Sequence, residues 1–281
     1  MSLFLSIGIY GLEVDVKRCN DEVIAVIKVS HSKAKIRRPK SYPDKFLGID
    51  SYLAHQSRYQ RPVLIVTESP HIEEFNVRNL RDFYSNTIVE ARPVNGVTGM
   101  NILLHLAGLL EAANVFPCDG YYPVIVMNAL QEQCSQGDRD TGKYRTRNFI
   151  RLWGSQKAYL EHRLEQIEPL IVLCSCTVGD FNLSNGMNAY YEGNRALFEQ
   201  RFEMLLKEEL QLMPSAEHTS YRFLGCKDLS GLVLGVLDSV FANKNIPIYK
   251  TTHPSSWRNR TPALRKYNSQ IRFTFDSEVT D

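Results

Sequence analysis

Four short runs of continuous apolar, largely β-branched residues constrain this 281-residue chain most: 62–67 (PVLIVT), 122–127 (YPVIVM), 169–173 (PLIVL) and 246–251 (IPIYKT). A strand with one face in water alternates apolar and polar residues, whereas a strand that is apolar throughout is covered on both faces. Helical patterns lie between and beside the runs, at 99–113, 155–167, 195–212 and 229–242. The first of them places apolar residues at 102, 103, 106, 109 and 110. Buried strands separated by helices predict an α/β fold with a mostly parallel central sheet flanked by helices. In such sheets ligands bind beyond the carboxyl ends of the strands, so the residues that follow each run are where chemistry is expected.

Outside this pattern, residues 12–16 and 23–29 flank Cys19-Asn20-Asp21 and predict a β-hairpin. The proline-punctuated basic stretch 33–43 reads as an exposed arm. The expected organisation is a β-rich extension with a basic arm over 1–60 and an α/β domain over 61–281. Residues 180–229 exceed what a simple crossover needs and read as an insertion within that domain.

Hydrophobic residues make up 43% and charged residues 23%, which excludes disordered and fibrous classes. The net charge of +2 hides segregation. Residues 28–45, 135–151 and 258–272 hold seventeen Lys or Arg against three acids, a charge of +14 on 50 residues, leaving −12 on the other 231. Basic charge concentrated on a few segments of an acidic body is what a phosphate-backbone binder requires. Taken one at a time, each run is equally a solvated loop.

The six cysteines show neither CxxC pairing nor zinc-finger spacing. Cys174-Ser175-Cys176 ends an apolar run and reads as a pair of buried free thiols. Reduced cysteines, no signal-peptide pattern and no apolar stretch approaching the ~20 residues of a membrane span predict a soluble, cytoplasmic protein.

Three motifs follow the apolar runs: Thr67-Glu68-Ser69-Pro70-His71 after the first, Val126-Met127-Asn128-Ala129-Leu130 at the end of the second, and Thr252-His253-Pro254-Ser255-Ser256 after the fourth. In this order they resemble the uracil-DNA glycosylase superfamily, whose motifs have the forms G-Q-D-P-Y or G-E-A-P-G, a strand-end Asn, and H-P-S. Pro93-Val94-Asn95-Gly96, before a helix start at Gly99-Met100-Asn101-Ile102, is similar to the family's proline-rich loop. The resemblance spans residues 60–260 approximately. Each motif alone is weak; three in order, each after a buried strand, are specific.

The resemblance implies a monofunctional DNA glycosylase that hydrolyses the N-glycosidic bond of a flipped-out pyrimidine and leaves an abasic site, with DNA as partner and no metal or other cofactor. Glu68 is then expected to orient water and stabilise the cationic sugar, His253 to donate to the departing base, and Asn128 to read its edge. Ser69 occupies the position of the Asp in one branch, so water activation is not assigned there. His71 stands where the uracil-specific branch has a Tyr that excludes C5 substituents, which points to a modified base such as a hypermodified phage cytosine, and to antiviral defence, ahead of plain uracil. Ser69, Pro70, His71, Phe83 and Tyr84 are the expected base pocket. Trp257 and Arg258 are expected to wedge into the duplex, and Ser255, Ser256, Arg260, Lys143, Arg145 and Arg147 to meet DNA. The spacing of the cysteines argues against the iron-sulfur cluster of one branch. A catalytically silent DNA-binding or partner-binding module of the same fold, and an α/β hydrolase acting on a small nucleoside, remain the rival readings. Oligomeric state is not legible.

Overall fold

The computed structural model describes residues 18–38, 48–71, 74, 93–94, 96–134, 145–179, 195–211, 226–259 and 262–267. Among the described residues seven strands form one mixed sheet: β1 (Glu22–Ser30), β2 (Lys33–Arg37), β3 (Val63–Thr67), β4 (Gly120–Asn128), β5 (Ile171–Cys174), β6 (Ile248–Lys250) and β7 (Arg265–Lys266), in spatial order β2-β1-β4-β3-β5-β6-β7. The four apolar runs became β3, β4, β5 and β6, and these four are mutually parallel. The sheet is not parallel to its edges, however, because β1, β2 and β7 pair antiparallel. Those three strands carry Lys, Arg and Glu among their apolar residues, so they lack the unbroken apolar signature that marks a doubly covered strand.

Central strands feed both faces. Leu64 and Val66 of β3 enter a core with β4, β5 and the helices α3 (Arg145–Glu165), α4 (Arg195–Gln211) and α5 (Leu229–Phe241). Val63 and Ile65 point to the other side, against Ile102, Leu106 and Leu110 of α2 (Val97–Ala112) and against Trp257. A short helix α1 (Ile49–His55) leads toward β3 and buries Tyr52.

Some expectations change. A hairpin that the sequence did not single out turns β1 into β2 through His31 (φ 52°) and Ser32 (φ 61°), the two left-handed residues of a two-residue turn matched to strand twist; the hairpin expected around Cys19–Asp21 needs a first strand that is not described. Residues 12–16 lie outside the described residues. The stretch from Lys33 to Arg37 is a strand instead of an arm, its alternation obscured because the half-buried residues Ala34 and Ile36 sit between exposed cations. Finally, α3 starts at Arg145, ten residues before the expected 155. Phe149, Ile150 and Trp153 are buried at helical spacing there, while arginines occupy the rest of the turn.

The 180–229 segment contributes α4, whose Phe198, Phe202 and Leu206 are buried in the core; the Asn- and Tyr-rich 182–194 lies outside the described residues. Among the described residues no helix is long and apolar enough to cross a membrane.

Candidate functional site

The parallel strands end together, and their ladder continues for one more residue. Ala129 N donates to Thr67 O at 2.7 Å, Leu130 N to Glu68 O at 2.9 Å, Ser175 N to Val66 O at 2.8 Å and Thr251 N to Cys174 O at 3.0 Å. Glu68, Asn128, Thr177 and His253 are thereby carried at one end of one sheet, by backbone alone.

Glu68 is 3% exposed and held on three sides. Its Oε2 accepts from Thr177 N at 2.6 Å, its Oε1 from Thr177 Oγ1 at 2.9 Å, and Arg145 Nη1 lies 3.1 Å from Oε1. Arg145 Nη2 also donates to Thr177 Oγ1 at 3.2 Å. The loop after β5 reaches this position because Gly179 (φ +103°) passes against α3, where a Cβ would lie 2.8 Å from Thr146 Oγ1. Glu68 is thus a fixed anion with one cation on one flank, and Oε2 keeps a lone pair for a water proton.

His253 precedes a 3₁₀ turn, Pro254–Ser256. Its Nδ1 accepts the Ser255 N–H at 3.3 Å and sits 2.8 Å from Ser255 Oγ. A backbone N–H can only donate, so Nδ1 carries the lone pair and Nε2 the proton. Burial lowers the His253 pKa; Glu68 pulls it up, while Arg145 and His71 depress it further. The ring is therefore a neutral N–H donor at neutral pH. Asn101 of α2 anchors the turn by donating to Pro254 O at 2.8 Å and to Ser255 O at 3.3 Å.

Asn128 is 2% exposed. Thr67 Oγ1 lies 2.6 Å from its Oδ1, the length of an O–H···O rather than an N–H···O bond, which orients the amide. Below it, Arg163 donates to Asn128 O (2.9 Å) and Ala129 O (3.0 Å) while forking onto both oxygens of Asp21 at 2.6 and 2.8 Å. The turn that presents Asn128 is thus tied down by a buried ion pair.

Beside Asn128 lies Glu74, 7% exposed, which accepts from Val94 N at 2.7 Å through Oε1. Burial pushes its carboxyl up to about 7; bonds from the Val94 and His71 backbone and the nearby Asn128 amide temper the rise. Glu74 and Thr177 escaped the sequence reading. Thr177 follows β5, so the strand-end rule applied to all four strands finds it. Nothing in the sequence separates Glu74 from its acidic neighbour Glu73.

Several expected DNA contacts are placed differently. Trp257 is no wedge: it is 2% exposed, packs in the core under α2 and donates Nε1–H to Thr252 O at 2.9 Å. An indole this apolar, next to a strand end, is stabilised more by the sheet face than by water. Arg145 is turned to Glu68 instead of outward, with its side chain 21% exposed. Arg147 is more open and lies 3.9 Å from Glu208. Ser255 and Arg258 are exposed, and Ser256 Oγ donates to His253 O at 2.8 Å. Pro70 is buried and His71 exposed. Ser69 bonds to the Cys134 thiol, tempering a pKa that burial drives to about 12. Phe83, Tyr84, Lys143 and Arg260 lie outside the described residues.

The basic runs are split. Of the run 135–151, Arg145 lies against Glu68, and Arg258 opens another run just past His253. Lys28, however, pairs with Tyr121 at the amino end of β4, the opposite end from Asn128. The chain returns along β2, where Arg37 is level with Val26.

No family model matches this chain, and no curated protein or solved structure matches it significantly.

Proposed function

We propose that this chain is a monofunctional DNA glycosylase that hydrolyses the N-glycosidic bond of a flipped-out pyrimidine, either a modified base such as a hypermodified phage cytosine or uracil. The observation that carries the reading is the convergence of an anchored carboxylate, an oriented amide and a neutral imidazole donor at one sheet end. As the C1′–N1 bond breaks, the base leaves with the electron pair and the sugar becomes cationic. Glu68 opposes the sugar charge and accepts a proton from the attacking water through its remaining lone pair. His253 Nε2–H donates to the base oxygen that gains charge, and the base departs protonated once the water proton is passed on. The exposed His71, where a bulkier phenol would close the base site, leaves room for a C5 substituent.

The test is incubation with duplexes containing uracil and with phage DNA of modified cytosine, followed by alkali. Strand breaks are expected from the unaltered chain, and a decrease of roughly 10²–10³-fold in Glu68→Gln and His253→Ala. One observation favours the silent-module reading: Arg145 already occupies one flank of Glu68. Tight DNA binding with no breaks on any substrate would decide for that alternative.

A further inference from the structure

The cations of β1 and β2 form a row that the strand-end site does not use. Lys28 on β1 is paired with Lys35 on β2 and, on its other side, with Tyr121 of β4, while Arg37 is paired with Val26. Paired residues share one face of a sheet, as do residues two apart along a strand. Lys28, Lys35 and Arg37 therefore lie on one face, with Lys33 at the end of the row, and all four are exposed. Ala34 and Ile36 turn to the other face and pack with the core under α2.

Cations are common on edge strands, where they block pairing with a second sheet. That explanation covers β2 and stops there. β1 is an interior strand between β2 and β4, and its one exposed residue is a lysine set opposite another lysine. Like charges directly opposite each other destabilise a sheet. Among the described residues no carboxylate comes within ion-pair distance of Lys28, Lys35 or Arg37, whereas Lys33 has Glu111 at 3.7 Å. Lys28 Nζ instead rests 5.8 Å from the centre of the Tyr121 ring. An anion placed between the two ammonium groups relieves their repulsion.

We propose that this face of β1 and β2 binds the phosphate backbone of duplex DNA, at a place separate from the strand-end site. Successive cations on β2 are about 6.6 Å apart, and Lys28 lies about 5 Å across from Lys35. The row thus offers regularly spaced positive charge to a linear polyanion. A membrane surface fits less well, because among the described residues of β1, β2 and β4 only Tyr121 exposes a large apolar side chain. Arg37 is level with Pro123 of β4, five residues short of Asn128 and two strands to the side. The row therefore starts roughly 20 Å from the site and runs away from it. The proposal goes beyond the glycosylase reading and needs no excision.

The experiment measures binding of the full chain to a duplex of about 30 base pairs of ordinary bases, by fluorescence anisotropy across a range of salt. The triple variant Lys28→Gln, Lys35→Gln, Arg37→Gln is compared with Lys207→Gln, Lys227→Gln, Lys244→Gln, which removes the same charge from exposed positions elsewhere. The first should weaken binding on the order of tenfold or more at about 0.1 M salt and lower the slope of log affinity against log salt by about 2.7; the second should leave the slope unchanged. Thermal melting of the first should be unchanged or higher, since opposed like charges are removed, which excludes misfolding as the cause. Excision is scored separately by alkali, so an absence of strand breaks with this binding intact rejects the glycosylase alone. Equal weakening in both variants, no effect of the first, no binding of the duplex by the unaltered chain, or equally tight binding to vesicles of phosphatidylcholine and phosphatidylserine would overturn the proposal.

Discussion

Arg163→Met tests how the strand-end turn is held. The native guanidinium makes two bonds to Asp21 and two to the carbonyls of Asn128 and Ala129, and its side chain is 6% exposed against 4% for Asp21. Methionine fills much of the volume but leaves Asp21 buried without its cation. Breaking one side of such a pair costs about 3–5 kcal/mol, a large part of the ~5–15 kcal/mol that holds a domain folded. The two orphaned carbonyls add to the loss, less than additively because the turn can shift. Arg163→Lys should fare only slightly better, since an ammonium cannot serve the carboxylate and both carbonyls through one planar fork. Asp21→Asn in the Arg163→Met background removes the buried charge and should recover most of the stability, leaving about 1–2 kcal/mol for the carbonyls. Urea unfolding at pH 7 measures each value. Because an unpaired buried carboxylate prefers to be protonated, the single variant's deficit should shrink toward low pH, and the double variant's should not. A loss below 1 kcal/mol in Arg163→Met, or a double variant no more stable than the single, would refute this account of the turn.

Further predictions concern the surrounding structure. Glu74 keeps its proton to about pH 7 when folded but releases it near 4.5 when unfolded, so its contribution is intact below 4.5 and is lost as pH rises through 7. Between pH 4 and 8 the unaltered chain should lose roughly 3 kcal/mol that Glu74→Gln does not, as read from urea midpoints across pH. Trp257→Ala should cost about 3–5 kcal/mol as a core truncation; unchanged stability with weakened DNA binding would restore the wedge. Gly99→Ala drives a Cβ into Val94 O and should destabilise by a few kcal/mol. Gly108→Ala on the same helix meets nothing within 4 Å and should stabilise by about 0.5–1 kcal/mol. Paired thermal melts decide both.

Much of the fold was legible because burial on both faces leaves a compositional trace. The runs at 62–67, 122–127, 169–173 and 246–251 lie within a few residues of β3, β4, β5 and β6. Edge strands leave a weaker trace: Lys33, Lys35 and Arg37 look like an arm until Val26, Lys28 and Ser30 are set beside them. Trp257 was misplaced for a related reason, since an aromatic beside Arg258 reads as surface until α2 is laid over it.

At the strand ends, the sequence by itself determined that Glu68, Asn128 and His253 follow buried strands, because a parallel sheet delivers whatever comes next to one edge. Only the tertiary structure decided which polar atoms are spent and which are left. Thr177 and Arg145 commit Glu68, Thr67 orients Asn128, and Val94, twenty residues on, turns Glu74 from one of two adjacent acids into a buried carboxyl beside that amide. These are distances between residues far apart in the chain, and donor-acceptor pairing depends on such distances rather than on residue type.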